Sequence, residues 1–294
     1  MGRPVTNIAM AWVDAFNRSV GGGNPAAVCL LAPDQAFGED RMQALAAELG
    51  ISEVAYVTPT GETTAFGLRW FTPQAEVDLC GHATLASAHF LRQRGAVDGS
   101  GALAFHTRSG KLSARFSGDL IELDLPADPV VEGPLPDGLI DQWPGEVVTS
   151  GRTAHFLFVV LASADAVGRY QPDFEAIAAS SPSPLLLTAR AEPDAEADYV
   201  LRVFGPRMGI DEDPVTGSAQ CAAGPWWAAQ GARAGSAGSA GSAGSFGGAG
   251  HRTLVAHQIS ARGGTLYVRP DGDRVHVAGH AVTVMTGDVH DGAQ

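Results

Sequence analysis

The amino-acid sequence predicts an α+β fold of two pseudo-symmetric halves, each a strand layer or barrel wrapped around a central helix. Three observations lead to this prediction: two stretches of the chain are echoed later, strand-like and helix-like segments alternate, and each half holds one helix that is apolar on nearly every face. With 294 residues, 45% of them hydrophobic, the chain is long enough to bury the core of such a fold.

The echoes indicate an internal duplication. Leu68-Arg69-Trp70-Phe71 returns as Leu201-Arg202-Val203-Phe204 at an offset of 133 residues (201 minus 68). A glycine–polar–alanine step follows each copy, at Gly81-His82-Ala83 and at Gly217-Ser218-Ala219. A later echo is offset by 154 residues (264 minus 110). The growth in offset is close to the length of an Ala-Gly-Ser-rich run, which we interpret as an insertion in the second copy.

The duplication suggests domain boundaries. We predict an N-terminal half at residues 1–125 that the C-terminal segment 280–294 completes. A Pro/Gly-rich linker at 126–150 follows it. The C-terminal half is predicted at 151–279, with the insertion at 232–250.

Strand and helix patterns justify the elements of each half. Apolar, β-branched or alternating segments predict strands at 54–57, 68–71 and 120–125. Small apolar residues predict one helix from near Gly81 and a second from near Gly217. A helix that is apolar on almost every face is surrounded by other structure, so we expect the strands to enclose these two helices.

Both predicted helices begin with a glycine and a short polar residue. Free backbone N–H groups and a partial positive charge at a helix N-terminus favour an anion. Two such termini, related by the duplication, are expected to converge on one small anionic ligand across the cleft between the halves. Ordinary capping by Asp78, Asp213 or Thr216 is the alternative, and the sequence leaves it open.

Composition excludes several classes of function. A formal net charge of −13 argues against nucleic acid or an anionic membrane as a partner. Lys111 is the only lysine and lacks a glycine cradle, which argues against a phosphate loop or a pyridoxal-phosphate site. Three widely spaced cysteines predict neither a zinc site nor a disulfide framework, which fits a reducing compartment, so we expect a cytoplasmic protein.

Four ordered signatures resemble one known family. They are Asp14-Ala15-Phe16 with Gly23 to Val28, then Ser52-Glu53, Asp78 to Thr84, and Glu212 to Ala219. Together they resemble the phenazine-biosynthesis (PhzF-like) isomerase family, which has the diaminopimelate epimerase fold. The resemblance runs from about residue 8 to about residue 288, interrupted by the insertion.

The resemblance implies a function and a set of site residues. Similar proteins isomerise or epimerise small acids without a metal or organic cofactor, in biosynthesis of secondary metabolites, and form homodimers. A glutamate carries the proton there, and Glu53 matches it. His82 and Asp213 match two further cleft residues of the family. The substrate carboxylate would be held by Gly217 and Ser218, and in the first half by Gly81.

The chemistry agrees with a glutamate in this role. Removing a proton beside a conjugated carboxylate and returning it elsewhere needs one group that is first a base and then an acid. We expect partial burial to raise the pKa of Glu53 toward neutrality. Without the resemblance, an acid at the start of a strand is more simply a surface or capping group.

One departure from the family fold's two-thiol racemases favours a single base. Cys80 stands where their first cysteine would be, but the second half has Thr216 before its glycine, and Cys221 lies about a turn inside the helix. We therefore expect an isomerase of a small unsaturated cyclic carboxylic or amino acid. An epimerase or tautomerase of another amino acid-like substrate and a non-catalytic carboxylate-binding protein remain the alternatives.

Overall fold

The computed structural model describes residues 6–33, 37–97, 101–140, 142–231 and 252–291. The chain divides into two units, unit 1 (Met1–Leu123 with Gly279–Gln294) and unit 2 (Asp124–Ala278). The segment predicted as a linker is assigned to unit 2, and the predicted insertion at 232–250 lies outside the described residues.

Within the described ranges the strands run in this order: β1 (Thr6–Ala15), β2 (Asn24–Leu30), β3 (Glu53–Pro59), β4 (Ala65–Phe71), β5 (Glu76–Val77), β6 (Ala102–Thr107), β7 (Gly110–Ser117), β8 (Leu120–Pro126), β9 (Val131–Glu132), β10 (Val147–Arg152), β11 (Leu157–Leu161), β12 (Leu185–Arg190), β13 (Tyr199–Gly205), β14 (Ile210–Asp213), β15 (Leu254–Gln258), β16 (Gly264–Asp271), β17 (Arg274–Gly279) and β18 (Ala281–Asp291). The three strands predicted from the sequence are confirmed as parts of β3, β4 and β8.

The helices are α1 (Glu39–Leu49), α2 (Gly81–Gln93), α3 (Ala164–Arg169), α4 (Phe174–Ser180) and α5 (Gln220–Ala229), with 3-10 turns at Asp137–Leu139 and Pro206–Met208. Helix α2 begins where the sequence predicts. Helix α5 begins at Gln220, so the start predicted near Gly217 is three residues early. A tighter turn precedes it, in which the N–H of Gln220 donates to the carbonyl of Gly217 over 3.2 Å.

Unit 1 is a mixed sheet with α2 packed on it. Strand β2 pairs antiparallel with β1 and parallel with β3, and β4 pairs antiparallel with β3 and parallel with β6. Strand β7 pairs antiparallel with β6, and β18 returns antiparallel to β1. Because β4 and β6 are parallel, the chain must cross over between them. The crossover contains β5 and helix α2.

Unit 2 repeats the same series of pairings. Strand β11 pairs antiparallel with β10 and parallel with β12, β13 pairs antiparallel with β12 and parallel with β15, and β16 pairs antiparallel with β15. Helix α5 connects β14 to β15, as α2 connects β5 to β6 in unit 1. The sequence echoes therefore report a duplicated topology.

The arginines of the repeated motif make the same contact in both units. Arg69 on β4 binds Glu76 on β5 through two contacts of 2.7 and 2.6 Å. Arg202 on β13 binds Glu212 on β14 in the same way, at 2.7 and 2.9 Å. Such paired contacts between a guanidinium and a carboxylate fix geometry as well as charge. Each arginine thus ties the strand that precedes the central helix to its neighbour.

Helix α2 is enclosed by unit 1. Every residue from Gly81 to Leu91 is buried, and the helix packs against β1, β2, β3, β7 and β18. Apolar side chains such as Leu85 stabilise this position by about 1.5–3 kcal/mol each. The two buried hydroxyls bond within the helix, since Thr84 donates to the Cys80 carbonyl at 2.6 Å and Ser87 to the Ala83 carbonyl at 2.7 Å.

Helix α5 contains Pro225, which lacks the N–H that would bind the carbonyl four residues earlier. That carbonyl belongs to Cys221, and it accepts the backbone N–H of Asp128 at 3.0 Å instead. At the position before the proline, a Cβ on Gly224 would collide with the Val268 side chain of β16. The proline leaves the Cys221 carbonyl free to accept from the loop at Asp128, and the glycine leaves room for Val268 of β16.

All three cysteines are free and buried. In the part of the chain described, no helix has the length and apolar character needed to cross a membrane.

Buried His89 of α2 makes the stability of the protein depend on pH. Burial first, and Arg92 second, lower its pKa from 6.5 to about 4. Its Nε2 lies 3.0 Å from Thr283 Oγ1, a contact that suits the neutral ring. Because the unfolded chain binds this proton near pH 6.5 and the folded chain only near pH 4, stability present above pH 6.5 is lost as pH falls toward 4.

We therefore expect His89→Gln to reduce the loss of stability on acidification. Between pH 7 and pH 5 the histidine accounts for a decrease of about 2 kcal/mol in the free energy of unfolding. Denaturant unfolding at both pH values measures this difference between wild type and variant. His106→Gln, at an exposed position of β6, is the control and should behave as the wild type. An equal pH dependence in all three proteins would contradict the assignment.

Candidate active site

Glu53 is the first residue of β3 and is buried, with 7% of its surface exposed. Strand β3 lies between β2 and β4. In the pairing with β2, Glu53 is opposite Ala26. The four residues that follow, 54–57, are all buried. A run of this kind is typical of a strand covered on both faces, and it carries the carboxylate at its start into the interior.

His82, the second residue of α2, lies against this carboxylate. Its Nε2 lies 2.8 Å from Glu53 Oε2, and both side chains are almost entirely buried. Helix α2 has no acidic residue in its first turn. Glu53 therefore supplies, from a strand, the negative charge that a helix N-terminus favours.

Two further side chains contact the His82 ring. Asn24 Nδ2 lies 3.1 Å from Nδ1, and Cys80 Sγ lies 3.5 Å from the same nitrogen. Asn24 is 0% exposed and Cys80 6%. We define Glu53, Cys80 and His82 as the Glu53 cluster. The sequence analysis gave Asn24 no role at the site, although it lies within the Gly23-Asn24-Pro25 signature; that motif was the available signal.

The charges of the cluster act on one another. Burial opposes the charged form of His82, but the Cys80 sulfur and the Glu53 carboxylate beside the ring outweigh it and raise the His82 pKa well above its usual range. Burial, with the nearby Glu53 carboxylate, raises the pKa of the Cys80 thiol. An asparagine amide presents either its nitrogen or its oxygen, so Asn24 can serve a neutral ring or an imidazolium.

A tight turn places Asn24. Gly23 has φ +68°, and a Cβ there would collide with the carbonyl oxygen of Ala15, so only glycine fits this position. On the other side of the turn, the buried carboxylate of Asp14 accepts the N–H of Gly21 at 2.8 Å. The Asp14-Ala15-Phe16 and Gly23-Asn24-Pro25 signatures thus lie on the two sides of one turn. This turn places the Asn24 side chain against the His82 ring.

Of the remaining predicted residues, Gly81 lies at the start of α2 in unit 1, directly between Cys80 and His82. Asp213, Gly217 and Ser218 belong to unit 2. Their roles in binding, and the predicted convergence of the two helix starts on one ligand, stay predictions.

Residues 213–218 of unit 2, here the Asp213 loop, are held by side chains that the sequence analysis missed. Thr216 Oγ1 donates to Asp213 Oδ2 at 2.5 Å. Buried Gln258 of β15 donates to the Asp213 carbonyl at 2.7 Å and accepts the Thr216 N–H at 2.8 Å. Nothing in the local sequence of β15 marks Gln258 apart from its being an amide in an apolar strand.

The start of α5 is fixed in the same way as the start of α2. Gln220 Nε2 donates to the Thr216 carbonyl at 3.2 Å, and Tyr199 Oη donates to Gln220 Oε1 at 2.6 Å. Thr84 bonds the Cys80 carbonyl at the matching position of unit 1, again four residues back. Side chains thus bind the backbone at both helix starts; Gly217 is buried and Ser218 half-buried.

The two units differ at the position of the acid. Glu53 opens β3 and pairs in register with Ala26, whereas β12 in unit 2 opens with Leu185, in register with Leu157. Pro184 precedes that strand. The acid, the thiol and the imidazole thus occur together in unit 1 without a counterpart acid at the start of β12.

Comparisons with known proteins agree with this architecture. Residues 13–287 match the family model described as phenazine biosynthesis-like protein. An uncharacterized isomerase of Pseudomonas aeruginosa is 40% identical over 281 residues, which cover 94% of this chain and 96% of that protein. A crystal structure of a PhzF-family phenazine biosynthesis protein from Enterococcus faecalis is 32% identical with a TM-score of 0.83, covering 97% of this chain and 99% of the other.

A more distant structure supports the fold alone. A hydroxyproline epimerase from Agrobacterium vitis, solved with trans-4-hydroxy-L-proline, is 12% identical with a TM-score of 0.60, covering 99% of this chain and 94% of the other. Together with the nearer structure it confirms the predicted diaminopimelate epimerase-like α+β fold.

We expect Asn24→Asp to raise the pKa of His82 further. The new carboxylate would face Nδ1 from the position where the amide nitrogen now lies at 3.1 Å, and an opposite charge at such a distance shifts a pKa by about 1–3 units. NMR titration of the His82 ring measures the shift. Asn17→Asp adds the same charge in the loop before β2, where the half-buried Asn17 side chain binds the Ser19 carbonyl instead, and is the control. An unshifted His82 titration in Asn24→Asp would contradict the contact.

We expect Gln258→Leu to loosen the Asp213 loop. Leucine fills a similar volume but leaves the buried Thr216 N–H without the acceptor it has in Gln258, at a cost of about 1–3 kcal/mol. Hydrogen exchange of the Thr216 amide should accelerate about 10- to 100-fold accordingly. Gln230→Leu, exposed at the end of α5, is the control. Unchanged Thr216 exchange in Gln258→Leu would show that the loop is held by other contacts.

Proposed function

Because this chain belongs to the phenazine biosynthesis-like (PhzC-PhzF) family, we propose that it is an isomerase that moves a proton on a small carboxylate-bearing molecule. The P. aeruginosa relative carries the name isomerase. The observation that carries the proposal is the contact of 2.8 Å between the buried carboxylate of Glu53 and the imidazole of His82.

Glu53 is the proton carrier in this proposal. As a carboxylate it removes a proton from carbon, and as the resulting acid it returns that proton to another carbon of the same molecule. Its burial slows exchange of the proton with bulk water before the proton returns. One group suffices for both steps, which agrees with the absence of an acid at the start of β12, where Leu185 stands.

His82 lies against this carrier. The raised pKa of the ring favours an imidazolium, which places a positive charge 2.8 Å from the carboxylate that acts in the first step. Asn24 keeps the ring in place from the other side. Because asparagine has both a donor and an acceptor, the ring retains a partner if its proton moves.

The binding groups of the proposal are backbone N–H donors and short polar side chains. In unit 2, Gly217 and Ser218 form the turn before α5, and we assign them to a substrate carboxylate. Gly81 has the corresponding role at the start of α2. Asp213, whose carboxylate accepts from Thr216, is assigned to a polar substituent of the substrate.

The finer proposal concerns the substrate. An unsaturated cyclic carboxylic or amino acid fits a single carboxylate base, because conjugation spreads the negative charge that forms when the proton leaves carbon. Such a reaction balances with one proton removed and one returned, so it needs no oxidant or reductant, and we propose that it proceeds without a cofactor. We place the reaction in secondary-metabolite biosynthesis, by analogy with the family.

The test is turnover in D2O, with trans-2,3-dihydro-3-hydroxyanthranilic acid as the first substrate and small cyclic amino acids after it. We expect the wild type to convert one of them and Glu53→Gln to lose at least about 100-fold in kcat, since acid–base catalysis contributes about 10²–10⁴-fold. NMR measures substrate loss and the position of deuterium. Glu48→Gln, on the exposed face of α1, should keep full activity.

The outcomes separate the alternatives. A migrated double bond supports the isomerase, whereas deuterium at a stereocentre with loss of optical activity and no migration indicates an epimerase. Binding without turnover, unaffected by Glu53→Gln, would leave a carboxylate-binding protein and refute both enzymes.

A further inference from the structure

The Glu53 cluster joins three different ligand-type atoms in one buried place. A carboxylate oxygen, a thiol sulfur and an imidazole nitrogen all lie within 4.8 Å of one another. Glu53, Cys80 and His82 are each less than 10% exposed. The proton transfer proposed above uses the carboxylate and the imidazole, and it leaves Cys80 without a task.

The distances are close to those of a tetrahedral zinc site. With Zn–N and Zn–O near 2.1 Å and Zn–S near 2.3 Å, tetrahedral ligands stand about 3.4 Å (N to O) and about 3.6 Å (N to S) apart. His82 Nε2 lies 2.8 Å from Glu53 Oε2 and 3.9 Å from Cys80 Sγ. These two distances differ from the tetrahedral ones by about 0.6 and about 0.3 Å, and the carboxylate oxygen and the sulfur lie within 4.8 Å of each other.

The ligand types select the metal. Calcium and magnesium take oxygen ligands, whereas a mixed set of thiolate, imidazole and carboxylate favours Zn²⁺ and its close analogues such as Co²⁺. The thiolate of Cys80 and the carboxylate of Glu53 together balance the two positive charges of the ion. The filled site therefore carries no net charge into the interior, where an unbalanced charge is costly.

The surroundings provide what a metal-binding histidine needs. When Nε2 binds a metal, Nδ1 carries a hydrogen and needs an acceptor. The amide of Asn24 lies 3.1 Å from Nδ1 and accepts through its oxygen once the amide has rotated. Three protein ligands leave one tetrahedral position for water or for a carboxylate.

We propose that Glu53, Cys80 and His82 form a binding site for Zn²⁺, and that Zn²⁺ bound there inhibits the protein. The inhibition rests on the proposed function, because the ion occupies the lone pairs of Glu53 and His82 through which the proton would move. The binding itself does not depend on that function. Binding releases two protons to solvent, one from the Cys80 thiol and one from the His82 imidazolium, with no change of oxidation state.

The experiment titrates the reduced, chelator-treated protein with Co²⁺ as the probe. We expect the near-ultraviolet charge-transfer band of a thiolate–cobalt bond, saturating at one Co²⁺ per chain and displaced by Zn²⁺. Cys80→Ser should weaken Co²⁺ binding by more than about 100-fold and abolish the band, since loss of a mere second-shell partner already costs 10- to 100-fold. Cys221→Ser, at the buried cysteine of unit 2, is the matched control and should bind as the wild type.

A second variant guards against misfolding of Cys80→Ser. Glu53→Gln keeps the thiol and should retain the charge-transfer band while binding Co²⁺ more weakly; circular dichroism checks the fold of each variant. The absence of a saturable band in the wild type, or its persistence in folded Cys80→Ser, would overturn the site.

The activity measurement is separate. Wild-type turnover should fall as Zn²⁺ fills the site and return when a chelator removes it. Turnover that is insensitive to Zn²⁺ at full occupancy would overturn the inhibition. A protein that binds Co²⁺ through Cys80 but converts no substrate would instead refute the proposed isomerase and leave the metal site standing.

Discussion

The burial of Glu53 beside His82 is the constraint on which the rest of the site depends. A carboxylate removed from water is costly unless a partner compensates it, and His82 does so at 2.8 Å. For that contact to form, the first turn of α2 must lie beside the first residue of β3. The Gly23 turn brings Asn24 against the same ring, and Thr84 fixes the first turn of the helix by binding the Cys80 carbonyl. Strand β3, the Gly23 turn and the first turn of α2 thus meet at the buried His82 ring.

Duplication supplies the frame, and departures from it supply the chemistry. The strand pairings and the arginine–glutamate contacts recur in both units, because they hold the strand that leads into each central helix. The helix starts keep the same backbone contact four residues back, from Thr84 and from Gln220. Only unit 1 places an acid at the start of the corresponding strand, so a symmetric frame carries an asymmetric set of reactive groups.

The sequence predicted the fold and named Glu53 and His82, because signatures and echoes are local patterns that a chain displays in order. The comparisons confirm the family and the fold. The contacts of Asn24 and Gln258 were missed, since their partners lie 58 and 42 residues away and a single amide carries no periodic signal. The start of α5 was placed too early because the Gly217 turn has helix-like composition but tighter hydrogen bonds. Cysteine spacing likewise could not show that Cys80 stands beside an acid and an imidazole.

By itself the sequence determined that the chain is duplicated, that each half encloses an apolar helix, and that the acid of the first half has no counterpart acid in the second. These properties depend on the order of residue types along the chain, which determines both the periodic patterns and the motifs. The tertiary structure alone decided that Glu53, Cys80 and His82 lie within 4.8 Å of one another, and that burial and mutual charge alter the pKa of His82 and of Cys80. Distances and desolvation arise only when separate strands and helices pack, so no local pattern in the chain encodes them.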